Sequence, residues 1–361
     1  MNKTQELHGL GQSLWLDNIS RVILDDGTLR RYVNEFSITG LTSNPTIFDE
    51  AIGKTDAYDE GIRDKAKAGK SSEALFVELA LEDLRRAAGL FRPVFDTTDG
   101  VDGWVSMEVS PLFANDTAGS IDAAARIHRQ AATPNLYVKI PGTPEGVPAI
   151  EQSIFDGVPI NVTLLFSREQ YIAAADAYLR GIERRIAVGR DPRVASVASL
   201  FVSRWDKAVE GKAPPELRNR LGIAMAGRTY RAYRELLASP RWRRLAAAGA
   251  RPQRLLWAST GTKDPAASDT LYVEALAAPD TIDTIPEKTL RAFAEHGAIN
   301  GVMAEDGGDA EAVLAGVAKA GIDVDALAIQ LQRDGAQAFV TSWNKLMTRI
   351  TDKSDALVRA G

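Results

Sequence analysis

Leu136-Tyr137-Val138-Lys139-Ile140-Pro141-Gly142-Thr143 places one lysine inside an apolar run that stops at a Pro-Gly turn. The run is short and rich in β-formers, so Leu136–Ile140 is predicted to be a buried strand. Working outward, seven more short segments have the same character: Ser13–Leu16, Ser37–Leu41, Trp104–Val109, Ile160–Leu165, Val194–Val202, Leu255–Ala258 and Thr281–Ile285. Between them lie Ala-, Leu-, Arg- and Glu-rich stretches with helical spacing. The strongest are Ser72–Leu90, Arg168–Val188 (closed by Gly189), Val209–Leu237 and Ala310–Arg349.

Strands alternating with helices predict an α/β fold with parallel strands, and eight is the strand count of a closed (β/α)8 TIM barrel. The rival is an open doubly wound sheet. The chain has neither a G-x-G-x-x-G nor a G-x-x-x-x-G-K-[ST] loop, which favours the barrel. A barrel needs about 250 residues. The surplus of the 361 is therefore assigned to extra helices and a C-terminal helix at about 323–350 packing on the barrel, all within a single domain, 1–361. Lys212-Ala213-Pro214-Pro215 is predicted to be a loop between helices. Asp323–Arg349 is a candidate to lie across the barrel mouth, with Phe339, Trp343, Leu346 and Met347 as core.

Composition removes several chemistries. Lys plus Arg is 43 against 48 for Asp plus Glu, so the broad basic footprint of a nucleic-acid binder is missing. Without cysteine there is no disulfide, thiolate nucleophile or cysteine-held metal. His8, His128 and His296 form neither H-x-H nor H-E-x-x-H, which argues against a histidine-based metal site or a Ser-His-Asp triad. No apolar stretch approaches a membrane span, and Met1-Asn2-Lys3-Thr4-Gln5-Glu6 leads into no signal-peptide core. The expected location is the cytoplasm.

Polar residues recur near the C-terminal ends of the predicted strands: Asp17, Ser43, Asn44, Glu108, Lys139, Asn161, Thr163, Ser199, Arg204 and Ser259. In a (β/α) barrel these ends share one face, where active sites lie. Burial disfavours a charged ammonium, so Lys139 is either a Schiff-base nucleophile or a strand-end lysine reaching solvent. Glu108 and Asp17, each flanked by apolar residues, are general acid/base candidates or structural carboxylates. Asn44, in Thr42-Ser43-Asn44-Pro45-Thr46, is a turn signal or a ligand contact. Asn161 and Thr163 alternate with Val162 and Leu164, which puts an amide and a hydroxyl on one face, suited to a polyhydroxylated ligand. Arg204 is either a phosphate fork or the salt-bridge partner of Asp206 or another surface acid, and Lys263 is a candidate second cation.

Taken together, these segments resemble the transaldolase family. The likeness runs through Leu14-Trp15-Leu16-Asp17, Gly40-Leu41-Thr42-Ser43-Asn44-Pro45-Thr46-Ile47-Phe48 and Val105-Ser106-Met107-Glu108-Val109-Ser110-Pro111. It continues in Tyr137–Thr143, Ile160–Ser167, the Ser199, Phe201 and Arg204 spacing, Leu256-Trp257-Ala258-Ser259-Thr260 and Ser342-Trp343-Asn344-Lys345-Leu346. It covers nearly the whole chain and is strongest with the longer bacterial branch, which also occurs fused to a glucose-6-phosphate isomerase domain. No such domain is expected within these residues.

The resemblance implies a single (β/α)8 barrel and a lysine Schiff-base transferase of the non-oxidative pentose phosphate pathway. It implies that Lys139 attacks C2 of fructose 6-phosphate or sedoheptulose 7-phosphate. Glu108 would act through a water that Thr163 helps hold, and Asp17 would take the C4 hydroxyl proton. Asn44 and Asn161 would hold the dihydroxyacetone unit, with Ser199 and Phe201 nearby. Arg204 and Ser259 would bind phosphate, and the acceptors would be erythrose 4-phosphate or glyceraldehyde 3-phosphate. It also implies a monomer or homodimer with neither cofactor nor metal, because the lysine supplies the electron sink.

Many transaldolases have an arginine shortly after the seventh-strand Ala-Ser, whereas here the residues are Thr260-Gly261-Thr262-Lys263. Lys263 is expected to replace that charge, without bidentate geometry. Three other readings compete: a fructose-6-phosphate aldolase of the same superfamily, a sugar-phosphate-binding protein without catalysis, and a phosphosugar isomerase or metal-dependent aldolase on a similar barrel. Phe201 opposes the first, because a phenyl ring beside the enamine neither holds nor activates water. Lys139, Glu108 and Asp17 oppose the second, and the shortage of histidine opposes the metal version of the third.

Overall fold

Side chains alternate between the two faces of each strand, and this alternation builds two distinct packed regions. The outward set, including Val138, Ile140, Val162, Leu200 and Trp257, fills the layer between sheet and helices. The inward set, including Trp15, Trp104, Tyr137, Val197, Leu256 and Ile282, fills the barrel itself. The computed structural model describes residues 2–359. Eight parallel strands close in chain order: β1 (Ser13–Leu16), β2 (Ile38–Leu41), β3 (Trp104–Glu108), β4 (Leu136–Pro141), β5 (Ile160–Leu165), β6 (Ser196–Phe201), β7 (Gln253–Ala258) and β8 (Ile282–Ile285). The predicted (β/α)8 barrel is the observed fold.

The lower interior is plugged by aromatic rings. Trp104 stacks on Tyr137 at 4.1 Å between centroids, and Trp15 on Tyr137 at 6.1 Å. The Trp15 indole N–H donates to Asp102 at 2.8 Å, which satisfies its buried polar atom. This plug closes the N-terminal end of the barrel, leaving the polar residues two or four positions further along the strands to line the open end.

Three predicted helix boundaries change. The helix from Ser72 continues past Leu90 to Thr97, and Pro93 lies inside it. Val209–Leu237 is not one helix. The helix there spans Leu221–Ala238, and the Pro214-Pro215 segment forms a loop with a short 3-10 turn at Pro215–Leu217. Ala310–Arg349 splits into helices Ala310–Lys319 and Val324–Arg359. The split has a local cause: Gly321 adopts φ +83, and the Asp323 carboxylate accepts from Asp325 N and Ala326 N, both at 3.0 Å, capping the last helix. That helix is docked by buried Asp49, which pairs with Lys345 at 2.9 Å and Arg349 at 2.6 Å.

β5 also departs from simple alternation. Leu164 has φ +59, and the β5–β6 register shifts between Val162 and Leu165. Leu164 therefore leaves the outward face expected for it and joins Phe166, Phe201 and Trp205 in the cluster near the mouth. A branched residue in the left-handed region is strained and has to be held by its surroundings.

On β8, Ile282 and Thr284 belong to the barrel interior, so alternation turns Asp283 toward the surrounding helices. It is completely buried, and neither carboxyl oxygen has a hydrogen-bond partner in the protein. Thr260, close enough to ease this slightly, donates its hydroxyl to the Thr284 carbonyl instead (3.2 Å). Burial pushes the Asp283 carboxyl up from 3.8 to about 8. The sign of the pH effect follows from linkage. Below pH 3.8 folded and unfolded chains both hold the proton; as pH rises toward 8 only the folded chain must keep it, so stability falls across that window. The full difference is at most roughly 6 kcal/mol, and relaxation reduces the expected effect to about 2 kcal/mol. Asp283→Asn is thus expected to raise the unfolding free energy at pH 8 by about 2 kcal/mol, and by clearly less at pH 5. Urea unfolding at the two pH values checks this; an equal gain at both would assign the effect to packing.

Candidate active site at the C-terminal mouth of the barrel

Strand register assembles the centre of the site. Glu108 on β3 is in register with Lys139 on β4, and Lys139 with Asn161 on β5. All three point inward at one level, above the aromatic plug. Lys139 Nζ donates to the Ser43 carbonyl at 3.1 Å and lies 3.4 Å from Glu108 Oε2. Lys139 is 5% exposed and its amine is turned to the Ser43 carbonyl, so the alternative of a solvent-reaching lysine is corrected.

Neither Glu108 oxygen makes a well-formed hydrogen bond to the protein, and the same holds for the Thr163 hydroxyl. Burial pushes the Glu108 carboxyl above the ordinary carboxylate range, with the Lys139 charge opposing. Asp17 follows β1 and is held by its backbone N–H donating to Ile285 O at 2.9 Å. Its carboxyl is also pushed up by desolvation, against the Thr42 hydroxyl that donates to it at 2.7 Å and the charges of Lys139, Lys263 and Arg204. Two desolvated carboxyls and a buried amine thus converge on one cavity mouth. Two carboxyls with raised pKa beside a buried amine make this end of the barrel the candidate reactive site.

The amide positions have distinct duties. Asn161 Nδ2 donates to Ser106 Oγ at 3.3 Å, and its Oδ1 accepts from Ser199 Oγ at 2.7 Å. Ser199 therefore holds Asn161 in place. Asn44 does what its Asn-Pro context foretells: its side chain caps helix Pro45–Lys54, accepting from Ile47 N at 3.0 Å. Its amide nitrogen is left free for another partner.

Arg204 lies on the short helix Ser203–Ala208 that follows β6. Its guanidinium rests over the Phe201 ring at 4.9 Å and the Phe339 ring at 5.8 Å. The Asp206 pairing does not form. That carboxylate accepts from Leu221 N (3.0 Å) and Gly222 N (3.1 Å), at the start of helix Leu221–Ala238, and from the Tyr272 hydroxyl (2.8 Å). Among the described residues Arg204 has no ion-pair partner. Ser259, at φ +57 just past β7, has its Oγ 2.9 Å from Ser203 Oγ. Lys263 is exposed and borders a cavity of about 340 Å³ together with Ser203, Lys207, Arg218 and Tyr272. Ser203 and Lys263 line that cavity, whereas Lys139, Arg204 and Ser259 do not.

Sequence reasoning missed three residues of the last helix. Gln332 Nε2 donates to Gly142 O (2.9 Å) and Leu164 O (3.0 Å), the carbonyls beyond β4 and within β5. A Cβ on Gly335 would lie 3.1 Å from Arg204 Nη1. Phe339, expected as plain core, covers Arg204. Positions 332, 335 and 339 share one helix face, and a buried glutamine with a glycine on that face is the available signal.

The sequence model of the Transaldolase/Fructose-6-phosphate aldolase family matches residues 14–350. This chain belongs to that family. A transaldolase of Thiobacillus denitrificans is 44% identical over 358 residues, covering 97% of this chain and 100% of that one. A transaldolase of Thermobifida fusca is 44% identical over 358 residues, 97% of each. One from Parafrankia sp. is 43% identical over 357 residues, 96% of this chain and 97% of its own length. The transaldolase/aldolase family acts on sugar phosphates, which accords with cations flanking a mouth that also offers amides and hydroxyls. Among the described residues, no group of three or more His, Asp or Glu side chains is arranged to hold a metal ion, and no helix is long and apolar enough to cross a membrane.

Proposed function

We propose that this chain is a transaldolase that moves a dihydroxyacetone unit between sugar phosphates through a Schiff base on Lys139. The observation that carries the reading is the in-register row Glu108, Lys139 and Asn161, with the amine 3.4 Å from a desolvated carboxyl. The donors are fructose 6-phosphate and sedoheptulose 7-phosphate. Erythrose 4-phosphate and glyceraldehyde 3-phosphate are the acceptors. We read the whole chain as one domain, cytoplasmic, and monomeric or homodimeric.

The Lys139 amine attacks the C2 carbonyl, and the oxygen of the carbinolamine leaves as water. Glu108 exchanges the protons through a water that it shares with Thr163, whose free hydroxyl and carboxyl oxygens are the available partners. The iminium withdraws electrons as Asp17 takes the C4 hydroxyl proton, and the C3–C4 bond breaks. The raised basicity of a desolvated carboxylate suits that step. The aldose phosphate departs and an enamine remains on Lys139. Addition of its C3 carbon to the acceptor aldehyde reverses these steps, and hydrolysis frees the new ketose phosphate. Asn161, held by Ser199, and the free amide nitrogen of Asn44 are the hydrogen-bonding groups for the three-carbon unit. Arg204, Ser259 and the point charge of Lys263 attract phosphate.

Phe201, packed on Phe166 at 5.4 Å, favours transfer over cleavage because an apolar ring delivers no proton to the enamine. With sedoheptulose 7-phosphate and glyceraldehyde 3-phosphate, the expected products are fructose 6-phosphate and erythrose 4-phosphate in equal amounts, with free dihydroxyacetone a small fraction of turnover. Coupled assays of the products check this. Free dihydroxyacetone as the main product would make the chain an aldolase, and binding without turnover would make it a sugar-phosphate-binding protein.

A further inference from the structure

We infer that Phe339, on the last helix, is a positioning residue that holds Arg204 unpaired and oriented for the phosphate end of the substrate. The inference rests on the reading of Arg204 as a phosphate-binding residue and adds a residue more than 130 positions away to that subsite. The guanidinium lies over two rings, Phe201 at 4.9 Å and Phe339 at 5.8 Å, with no carboxylate in ion-pair range among the described residues. Aromatic faces attract the cation without occupying its in-plane N–H donors. An oxyanion therefore meets a fork that is already ordered and has no acidic partner to displace.

The helix is placed to do this. Gln332 ties it to Gly142 O and Leu164 O at 2.9 and 3.0 Å, and Asp49 ties it lower down through Lys345 and Arg349. Gly335 allows the close approach: a Cβ there would be 2.9 Å from Leu164 Cδ2 and 3.1 Å from Arg204 Nη1. One face of the helix thus braces the strained Leu164 and covers Arg204 together.

The test is borohydride trapping on Lys139 with two probes, fructose 6-phosphate and unphosphorylated dihydroxyacetone, reading the concentration of each that gives half-maximal trapping. Phe339→Leu keeps the apolar volume and removes the ring; Phe339→Tyr keeps the ring. Arg204→Ala is the reference, and thermal melts confirm folding of each variant. Phe339→Leu is expected to raise the fructose 6-phosphate value about fivefold relative to the dihydroxyacetone value. Phe339→Tyr is expected to stay within about twofold of the parent ratio. If Arg204→Ala shifts the ratio while Phe339→Leu moves both probes equally, or neither, Phe339 is only a wall and the inference is overturned. If Arg204→Ala itself leaves the ratio unchanged, the phosphate reading of Arg204 fails and the inference falls with it.

Discussion

Lys139→Ala is expected to abolish borohydride trapping of fructose 6-phosphate and to reduce transfer to background. Lys139 is the one lysine on any of the eight strands, and its amine alone reaches the level of Glu108 and Asn161. Without that amine the C3–C4 bond has no electron sink, because an alanine cannot accept the developing charge. Peptide mass spectrometry after reduction reads the result directly. The parent chain should carry its reduced three-carbon adduct on the peptide containing Lys139, and the variant should carry none. The substitution also leaves Glu108 buried without its 3.4 Å cation, so a modest change in stability is expected beside the complete loss of chemistry. An adduct retained at another lysine would remove the central assignment.

Glu108→Gln is expected to slow transfer by about 10²- to 10⁴-fold, the range for losing a positioned general acid/base. The amide keeps the size and the hydrogen-bonding reach of the carboxyl, so the loss reports proton exchange and not packing. Trapping should slow without disappearing, since the nucleophile remains. The pH dependence gives a second readout. Burial raises the folded Glu108 carboxyl, so the parent's acid limb should lie above the pH of an ordinary glutamate. In that limb, rising pH frees the carboxylate that must accept a proton, and the rate climbs. The variant keeps Asp17, whose raised carboxyl must also accept a proton, so its acid limb should shift in position without disappearing. A rate within a few-fold of the parent, or an acid limb unchanged in position, would assign Glu108 a structural role.

Much of the site was legible because its members are strand-end residues set in apolar sequence. Alternation along Trp104–Glu108 and Leu136–Pro141 places Glu108 and Lys139 inward, and parallel strands bring their ends to one face. Asp17 was legible for the same reason, one residue past β1. Asn161 and Thr163 were correctly set on one face, but Leu164 was not set on the other, because a left-handed residue interrupts a period that a sequence pattern assumes to be unbroken. Helix boundaries failed where propensity ran continuously through Ala310–Arg349, although Gly321 and Asp323 carried the stop and start signals.

By itself, the sequence determined the barrel class, the lysine with its two carboxylates and the exclusion of cysteine chemistry. These follow from local facts: residue type, period-two alternation and the shared direction of parallel strands. Tertiary structure alone decided which polar atoms are committed and which are free. Arg204 is two residues from an obvious partner in Asp206, yet that carboxylate turns to Leu221 N, Gly222 N and Tyr272 while Phe339 covers the arginine from the far end of the chain. Asp283 is likewise an ordinary strand residue until packing leaves both its oxygens without partners. Pairing, desolvation and ring contacts depend on distances between segments remote in sequence, and only the closed barrel with its docked last helix sets those distances.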